Sequence, residues 1–429
     1  MQEELLKELT KLGASNIVIT KNSEKATHVK FANSQIATTK SWELAKYSVF
    51  VEQGKKIITT TLEKVDNPSE TAKFLMSLLK QTEPNPDFEA IAKGPFKYKT
   101  GLHYDSSAKN TDPALLVEKA IDAANELDKR RCAGVIEVAE TTSELVTSNG
   151  VNAEDRGTGF YCSFRAMGPI TSGHEVEVSR HFKTFKYIEA AKRAAETASG
   201  KETKSVSPGK FDVLFSPLAF ANIVGRVADA TGVFSVEAGL SCFGNKVGEK
   251  FGNLTIHDDS TLIDGFRSRA FDDEGIPAQK TTVFDKGVLK TFLHNTSSAK
   301  RYKTKTTGNA GLIAPYSTNT VVEAGKVSDE KLMSDFTGLY ITNLWYTRFQ
   351  NYATGDFSTI PRDALYYVKN GEMQHIVKDT RISDNLIEMM RKTSTLSKDA
   401  RQIRGWEVDM PVITPMAIVK DVNITKSTE

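Results

Sequence analysis

The stretch Phe211–Ala230 (FDVLFSPLAFANIVGRVADA) decides the architecture of this chain. Phe211–Phe215 reads as a buried strand, and an apolar helix follows Ser216-Pro217, placed at Ala219–Ala230. A helix built to hold a catalytic zinc would carry two His and a Glu on one face, and this one carries neither. Upstream, Gly200–Gly209 (GKETKSVSPG) is polar and lacks apolar periodicity, which makes it the domain boundary. Downstream, strands dominate. Ile313–Tyr316, Leu339–Tyr346 and Leu365–Val368 are compact strand runs, and Asn370-Gly371 signals a tight hairpin. A helical piece is expected at Asn385–Thr393.

The half before the boundary has a different texture. Leu5, Leu6, Leu9 and Leu12 recur at helical spacing and stop at Gly13. Strand runs follow at Asn16–Thr20, Thr27–Ile36, Trp42–Glu52 and Lys56–Glu63, with a Gln53-Gly54 turn between the last two. Pro68 opens a helix to about Gln81, with Ala72, Phe74, Leu75, Leu78 and Leu79 on its apolar side. Residues 82–113 form a long connection. Asp112-Pro113 caps and starts a helix expected to reach Arg131. Strands at Ala133–Thr141, Glu144–Ser148, Gly159–Ala166 and Gly173–His181 lead to a helix from Tyr187 to Ala198. Gly150–Gly159 is read as a hairpin loop. Helix–strands–helix thus occurs twice, which suggests a duplicated unit. The fold class is α+β: an N-terminal α+β domain (1–205) followed by a mostly antiparallel, β-rich C-terminal domain (206–429).

Composition sets the outer limits. A chain of 429 residues exceeds what one core supports. A net charge of +2 gives no pull toward nucleic acid or anionic membrane. No run approaches the ~20 apolar residues of a membrane span. The acidic amphipathic start, Met1–Leu12, lacks the basic-then-apolar order of a secretory signal, so a cytoplasmic location is expected. Cys132, Cys162 and Cys242 are few and widely spaced, which fits buried thiols better than a metal knuckle.

Few residues offer chemistry. His174-Glu175 lies in a polar–apolar alternation, where His174 and His181 project to opposite faces. His257-Asp258-Asp259 has two readings: a polar turn after the strand Asn253–Ile256, or carboxylates orienting an imidazole or holding a cation, with His294 as a further ligand. The segment Asn343–Asp363 is the densest polar-aromatic stretch. Trp345, Tyr346, Phe349, Tyr352 and Phe357 supply flat apolar surface. Arg348, Asn351, Asp356 and Arg362 supply donors and acceptors that suit an extended peptide. The competing reading is that Arg348 and Arg362 merely tie Asp356 and Asp363 within a folded loop.

Ordered pieces carry a family resemblance. Asp272–Lys280 (DDEGIPAQK), Phe284–Lys290, Thr307–Gly311 (TGNAG), Ser317–Thr320 (STNT), Thr354–Ser358 (TGDFS) and Val368–Glu372 (VKNGE) resemble, in order, the motifs of the TldD/PmbA family. Phe31-Ala-Asn33 resembles its short N-terminal motif. In the TldD branch a helix carries HExxxH, and a Cys near the C-terminus completes a zinc site. Here Ala221, Asn222 and Arg226 stand at the matching helix positions, or Asn222, Ile223 and Val227 in a register shifted by one, and neither set offers a metal ligand. Asp356–Ala364 holds no Cys. The pattern resembles the TldE branch. The resemblance implies a zinc-free subunit that pairs with a zinc-bearing TldD-like subunit to cleave unfolded peptides. It implies no cofactor in this chain. The polar-aromatic segment itself offers Arg348, Asn351, Asp356, Phe357 and Arg362 as candidate peptide-groove or interface residues. The sequence does not decide whether the chain self-associates when the partner is missing; an apolar surface made for a homologous partner could accept a second copy, giving a homodimer. Two other readings remain: a stand-alone hydrolase with a metal site drawn from His257, Asp258, Asp259 and His294, or a peptide-binding modulator without a peptidase role.

Overall fold

The computed structural model describes residues 1–426 apart from Leu127 and Lys129. The first part runs α1 (Gln2–Lys11), β1 (Asn16–Ala32), β2 (Gln35–Gln53), β3 (Lys56–Leu62), α2 (Pro68–Lys80), α3 (Pro113–Ala124), β4 (Arg131–Thr147), β5 (Asn152–Met167), β6 (Ser172–Ser179) and α4 (Tyr187–Thr197). Local chemistry sets the helix starts. The Asn67 side chain accepts from the N–H groups of Ser69 and Glu70, and the Asp112 side chain accepts from that of Ala114. Each cap precedes a Pro in the first turn, where its missing N–H is harmless.

The expected repeat is visible as topology. The six strands form one antiparallel sheet in the order β3-β2-β1-β4-β5-β6. Two three-stranded meanders therefore meet first strand to first strand, β1 against β4. Residues of α1 and α2 build one apolar cluster on this sheet, and residues of α3 and α4 another.

Several local expectations are corrected. The runs at Asn16–Thr20 and Thr27–Ile36 are one strand, and the chain reverses inside the second run. There Asn33 and Ser34 take φ of 51° and 58°. Such a turn needs positive φ at both central residues, which Asn tolerates best among residues with side chains. The β2–β3 turn uses Gly54 and Lys55, one residue later than expected. Ala133–Thr141 and Glu144–Ser148 are likewise continuous in β4. The expected loop Gly150–Gly159 is strand from Asn152 onward. Phe74 is exposed, and Met76 takes its expected place in the core. Helix α3 stops at Ala124 rather than near Arg131.

Helix α4 lies so close to β6 that a Cβ on Gly173 would sit 2.0 Å from the carbonyl oxygen of Ala194. Gly173→Ala is expected to cost about 2 kcal/mol through this overlap with backbone. A urea midpoint equal to that of the unaltered chain would contradict the close helix–sheet packing.

The second part runs β7 (Thr203–Lys204), β8 (Gly209–Phe215), α5 (Pro217–Ala230), α6 (Val233–Glu237), β9 (Ile256–Asp259), β10 (Lys280–Asp285), β11 (Val288–Leu289), α7 (Thr296–Arg301), β12 (Thr320–Val322), α8 (Asp329–Ser334), β13 (Gly338–Asn351), β14 (Asp356–Lys369), β15 (Glu372–Val377), β16 (Thr380–Asn385), α9 (Leu386–Lys392), β17 (Thr393–Leu396), β18 (Arg401–Gly405), β19 (Val408–Thr414) and β20 (Ala417–Lys426). One sheet has the order β11-β10-β9-β12-β19-β18. The other follows β13-β8-β20-β16-β14-β15-β7, and the pairing of β13 with β14 closes its path into a circuit. Antiparallel pairs predominate, as expected. Asn370-Gly371 forms the β14–β15 turn, with φ of 48° and 80°. Ile313–Tyr316 is not a strand, since Pro315 has no N–H for a ladder and Ile313 points outward. Residues of α5 meet residues of both sheets in the largest apolar cluster.

Two polar junctions tie the first sheet to the second part. Asp363 in β14 pairs with Arg165 of β5 at 3.1 Å and accepts from Ser172 at 2.7 Å. Glu175 in β6 pairs with Arg401 of β18. Beside it, burial pushes the Glu177 carboxyl up to about 7, against the pull of Arg193. The folded value then exceeds the ordinary 4.5, so the protonated acid favours the fold. That contribution is complete below about pH 4.5 and is lost as pH rises through about 7. Glu177→Gln should remove this slope, worth on the order of 3 kcal/mol. Urea midpoints compared at pH 5 and pH 8 check it.

Candidate functional site

The site begins where β8 enters α5. The Ser216 hydroxyl donates to the carbonyl of Thr342 at 2.7 Å and accepts from the N–H of Ala219 at 3.1 Å. It thus caps the helix and fixes it to β13. From Leu218 to Val224 no residue is more than 5% exposed, so the first turns of α5 are core. Asn222 donates to the Leu344 carbonyl at 3.4 Å, and Arg226 pairs with Asp229 at 3.2 Å. Ala221 has no donor atom, Asn222 offers one amide oxygen, and Arg226 brings a positive charge. Asn222 borders a cavity of about 20 Å³ shared with His174, Asn343, Trp345 and Glu407, too small for a substrate group.

Above this cavity lies an aromatic face. Trp345 in β13 stacks on Trp406 with ring centroids 6.2 Å apart and planes 17° from parallel. Trp406, in the β18–β19 turn, is 75% exposed, and Tyr346 is 54% exposed. Arg362 lies 4.9 Å over the Trp345 ring. Arg348 lies 5.3 Å over Tyr346 and pairs with Glu407 at 3.0 Å. Glu407 also accepts from the Tyr346 N–H at 3.1 Å, holding a residue whose φ is 55°. Arg348 and Arg362 therefore sit on aromatic surface and do not tie Asp356 and Asp363.

The remaining groove candidates serve the hairpin itself. Asn351 accepts from the N–H groups of Ala353 and Thr354. Asp356 accepts from Asn385 at 2.9 Å and from the Thr354 hydroxyl at 2.6 Å, and these bonds hold its carboxyl below the usual range. Phe357 is 1% exposed and belongs to the core, so it lines no groove.

Three of the motif stretches, Asp272–Lys280, Thr307–Gly311 and Ser317–Thr320, converge on a buried polar network. His257-Asp258-Asp259 is not a turn: it lies in β9, inside its sheet, and all three residues are buried. Asp258 accepts from Asn309 at 2.6 Å, from the Thr318 N–H at 2.7 Å and from the Thr318 hydroxyl at 2.8 Å. Burial still pushes its carboxyl up to about 6. Asp272 accepts from the N–H groups of Glu274, Ile276 and Ala310 at 2.9–3.0 Å. Arg269 pairs with Asp273 at 2.9 Å and donates to Tyr316 at 2.7 Å.

The imidazoles are placed elsewhere. His257 contacts Thr282 and Glu323. His294 contacts Ser298, and burial, with Arg301 nearby, pushes it down to about 4. His257, Asp258, Asp259 and His294 are engaged separately. Among the described residues, no group of three or more His, Cys, Asp and Glu side chains is placed to hold a metal.

Residues 208–426 match the PmbA/TldA metallopeptidase C-terminal domain, and residues 104–201 match the central domain of that family.

The chain belongs to the PmbA/TldD metallopeptidase family.

A metalloprotease of Methanocaldococcus jannaschii is 32% identical over 51% of this chain and 49% of its own length. The metalloprotease PmbA of Escherichia coli O157:H7 is 30% identical over 45% of this chain and 43% of its own. The chain spans about half the length of these curated relatives. TldE from Thermococcus kodakarensis has the same fold, with a TM-score of 0.86 over 99% of each chain at 19% identity.

A metallopeptidase family implies a metal, and the described residues of this PmbA/TldD chain do not fit one. Helix α5 offers Ala221, Asn222 and Arg226, and the three cysteines are buried apart from any ligand set. Trp406 and Glu407 complete the candidate aromatic face, and local patterning misses them. The available signal was a Trp placed in a tight turn, Gly405-Trp-Glu-Val408, between two strand runs.

Proposed function

We propose that this chain is the metal-free, TldE-type subunit of a cytoplasmic PmbA/TldD metallopeptidase, and that a TldD-type partner holds the zinc and cleaves unfolded peptides. The observation that carries this reading is α5. The helix that would present a catalytic metal is sealed in the core with Ala221, Asn222 and Arg226 at the decisive positions. The aromatic face of Trp345, Tyr346 and Trp406 then gives the chain its part in the assembly. Flat apolar rings flanked by Arg348 and Arg362 suit an extended peptide backbone or the partner's surface.

The test is cleavage of an unstructured fluorogenic peptide by this chain, by the TldD-type partner, and by their mixture. Turnover in the mixture well above that of either subunit is expected. Equal turnover by the partner with and without this chain would overturn the proposal. Arg348→Ala is expected to raise the KM of the mixture by about 2- to 5-fold, because the guanidinium is exposed to water even though its partner Glu407 is buried. Steady-state kinetics of the mixture check it, and an unchanged KM would remove Arg348 from the peptide path.

A further inference from the structure

A cavity of about 350 Å³ lies where β1–β3, the segment after Asn85 and the loops around α7 meet. It shares no residue with the aromatic face. Its volume falls in the range of small-ligand sites. Phe50, Ile57, Phe88 and Ile91 give it apolar walls, and Phe234 and Ile313, 52% and 76% exposed, rim it.

One polar wall group stands out. Glu274 is 8% exposed, and one of its oxygens accepts from the Thr296 N–H at 3.3 Å. No cation among the described residues lies within ion-pair distance of it. Arg301, also lining the cavity, is engaged by Glu237 at 2.6 Å and by the Asp87 carbonyl. Asp273 is engaged by Arg269. A carboxyl group withdrawn from water without a counter-charge is costly when ionised. A ligand cation would supply that charge, and the apolar walls would hold the body of the ligand.

We propose that this cavity binds an amphipathic primary amine, with an aliphatic or aromatic body against Phe50, Phe88 and Ile91 and the ammonium donating to Glu274. A free arylalkylamine and the N-terminal residue of an apolar peptide present the same chemistry. The site stands apart from the subunit reading, since α5 contributes no residue to it.

Isothermal titration of the full chain tests it with four probes: phenethylamine, the neutral isostere 2-phenylethanol, and the peptide amide Phe-Ala-Ala-Ala with a free or an acetylated N-terminus. Saturable binding of phenethylamine, at least ~10-fold tighter than of the alcohol, is expected. The free peptide binding and its acetylated form failing would assign the source to peptide N-termini. Phenethylamine binding alone would assign it to small amines. Glu274→Gln should lose the preference for the amine, and Thr59→Trp, at the half-buried wall, should block both probes. Thermal unfolding of each variant confirms that it is folded. No saturable binding of either amine, or an amine preference unchanged in Glu274→Gln, would overturn the proposal.

Discussion

Asp272→Ala is expected to lower the unfolding free energy by about 4 kcal/mol, the largest loss from a single truncation outside the apolar core. The carboxylate accepts three backbone N–H groups, from Glu274, Ile276 and Ala310. It is 1% exposed, so water cannot replace it. Each orphaned buried donor costs roughly 1–3 kcal/mol. Arg269 would also lose part of the negative charge that compensates it in the interior. Asp66 gives the contrast: its pair with Lys64 is exposed on both sides, and Asp66→Ala should change stability by less than about 0.5 kcal/mol. Urea denaturation of both variants decides. Equal midpoints would mean that the buried network does not hold the 272–310 segment together.

Trp406→Ala is expected to lower the kcat/KM of the mixed assembly by about 30-fold. A Trp anchor at the centre of a contact face is commonly worth 2 kcal/mol or more. The ring is 75% exposed and stacks on Trp345, so its removal takes away half of a two-ring platform without opening the core. The stability of the isolated chain should therefore stay within about 0.5 kcal/mol. Trp406→Phe should recover most of the activity, because a flat ring is what the platform needs. Full activity in Trp406→Ala, measured with the same peptide and partner, would show that this face touches neither substrate nor partner.

The elements legible in the sequence are those whose causes are local. Asn67-Pro68 and Asp112-Pro113 announce helices because the cap and the first turn are chain neighbours. Asn370-Gly371 announces a hairpin because two residues alone set the turn. The repeat was legible as element order. Its pairing of β1 with β4 was not, since the two strands lie more than a hundred residues apart.

The errors fall where the cause is distant. His257-Asp258-Asp259 reads as a turn because three polar residues rarely enter a buried strand. They do so here because Asn309 and Thr318 bring donors to Asp258 from 51 and 60 residues away. One of the two readings of the polar-aromatic segment ties Asp363 to Arg348 or Arg362 nearby, but its cation is Arg165, which the fold carries to it. Phe357 reads as groove surface because its neighbours are polar, whereas it packs into the largest apolar cluster, within a run, Phe357–Thr359, that is buried throughout. The TGN and STNT stretches serve as a family signature in the sequence, and their physical role as clamps on Asp258 emerges only in the fold.

The most direct test of the account is native mass spectrometry of an active mixed assembly, followed by dissociation and metal analysis of each subunit. The account predicts one zinc per TldD-type partner and none retained by this chain, whose α5 offers Ala221, Asn222 and Arg226. Stoichiometric zinc retained by this chain, with peptide cleavage by the chain alone, would contradict it.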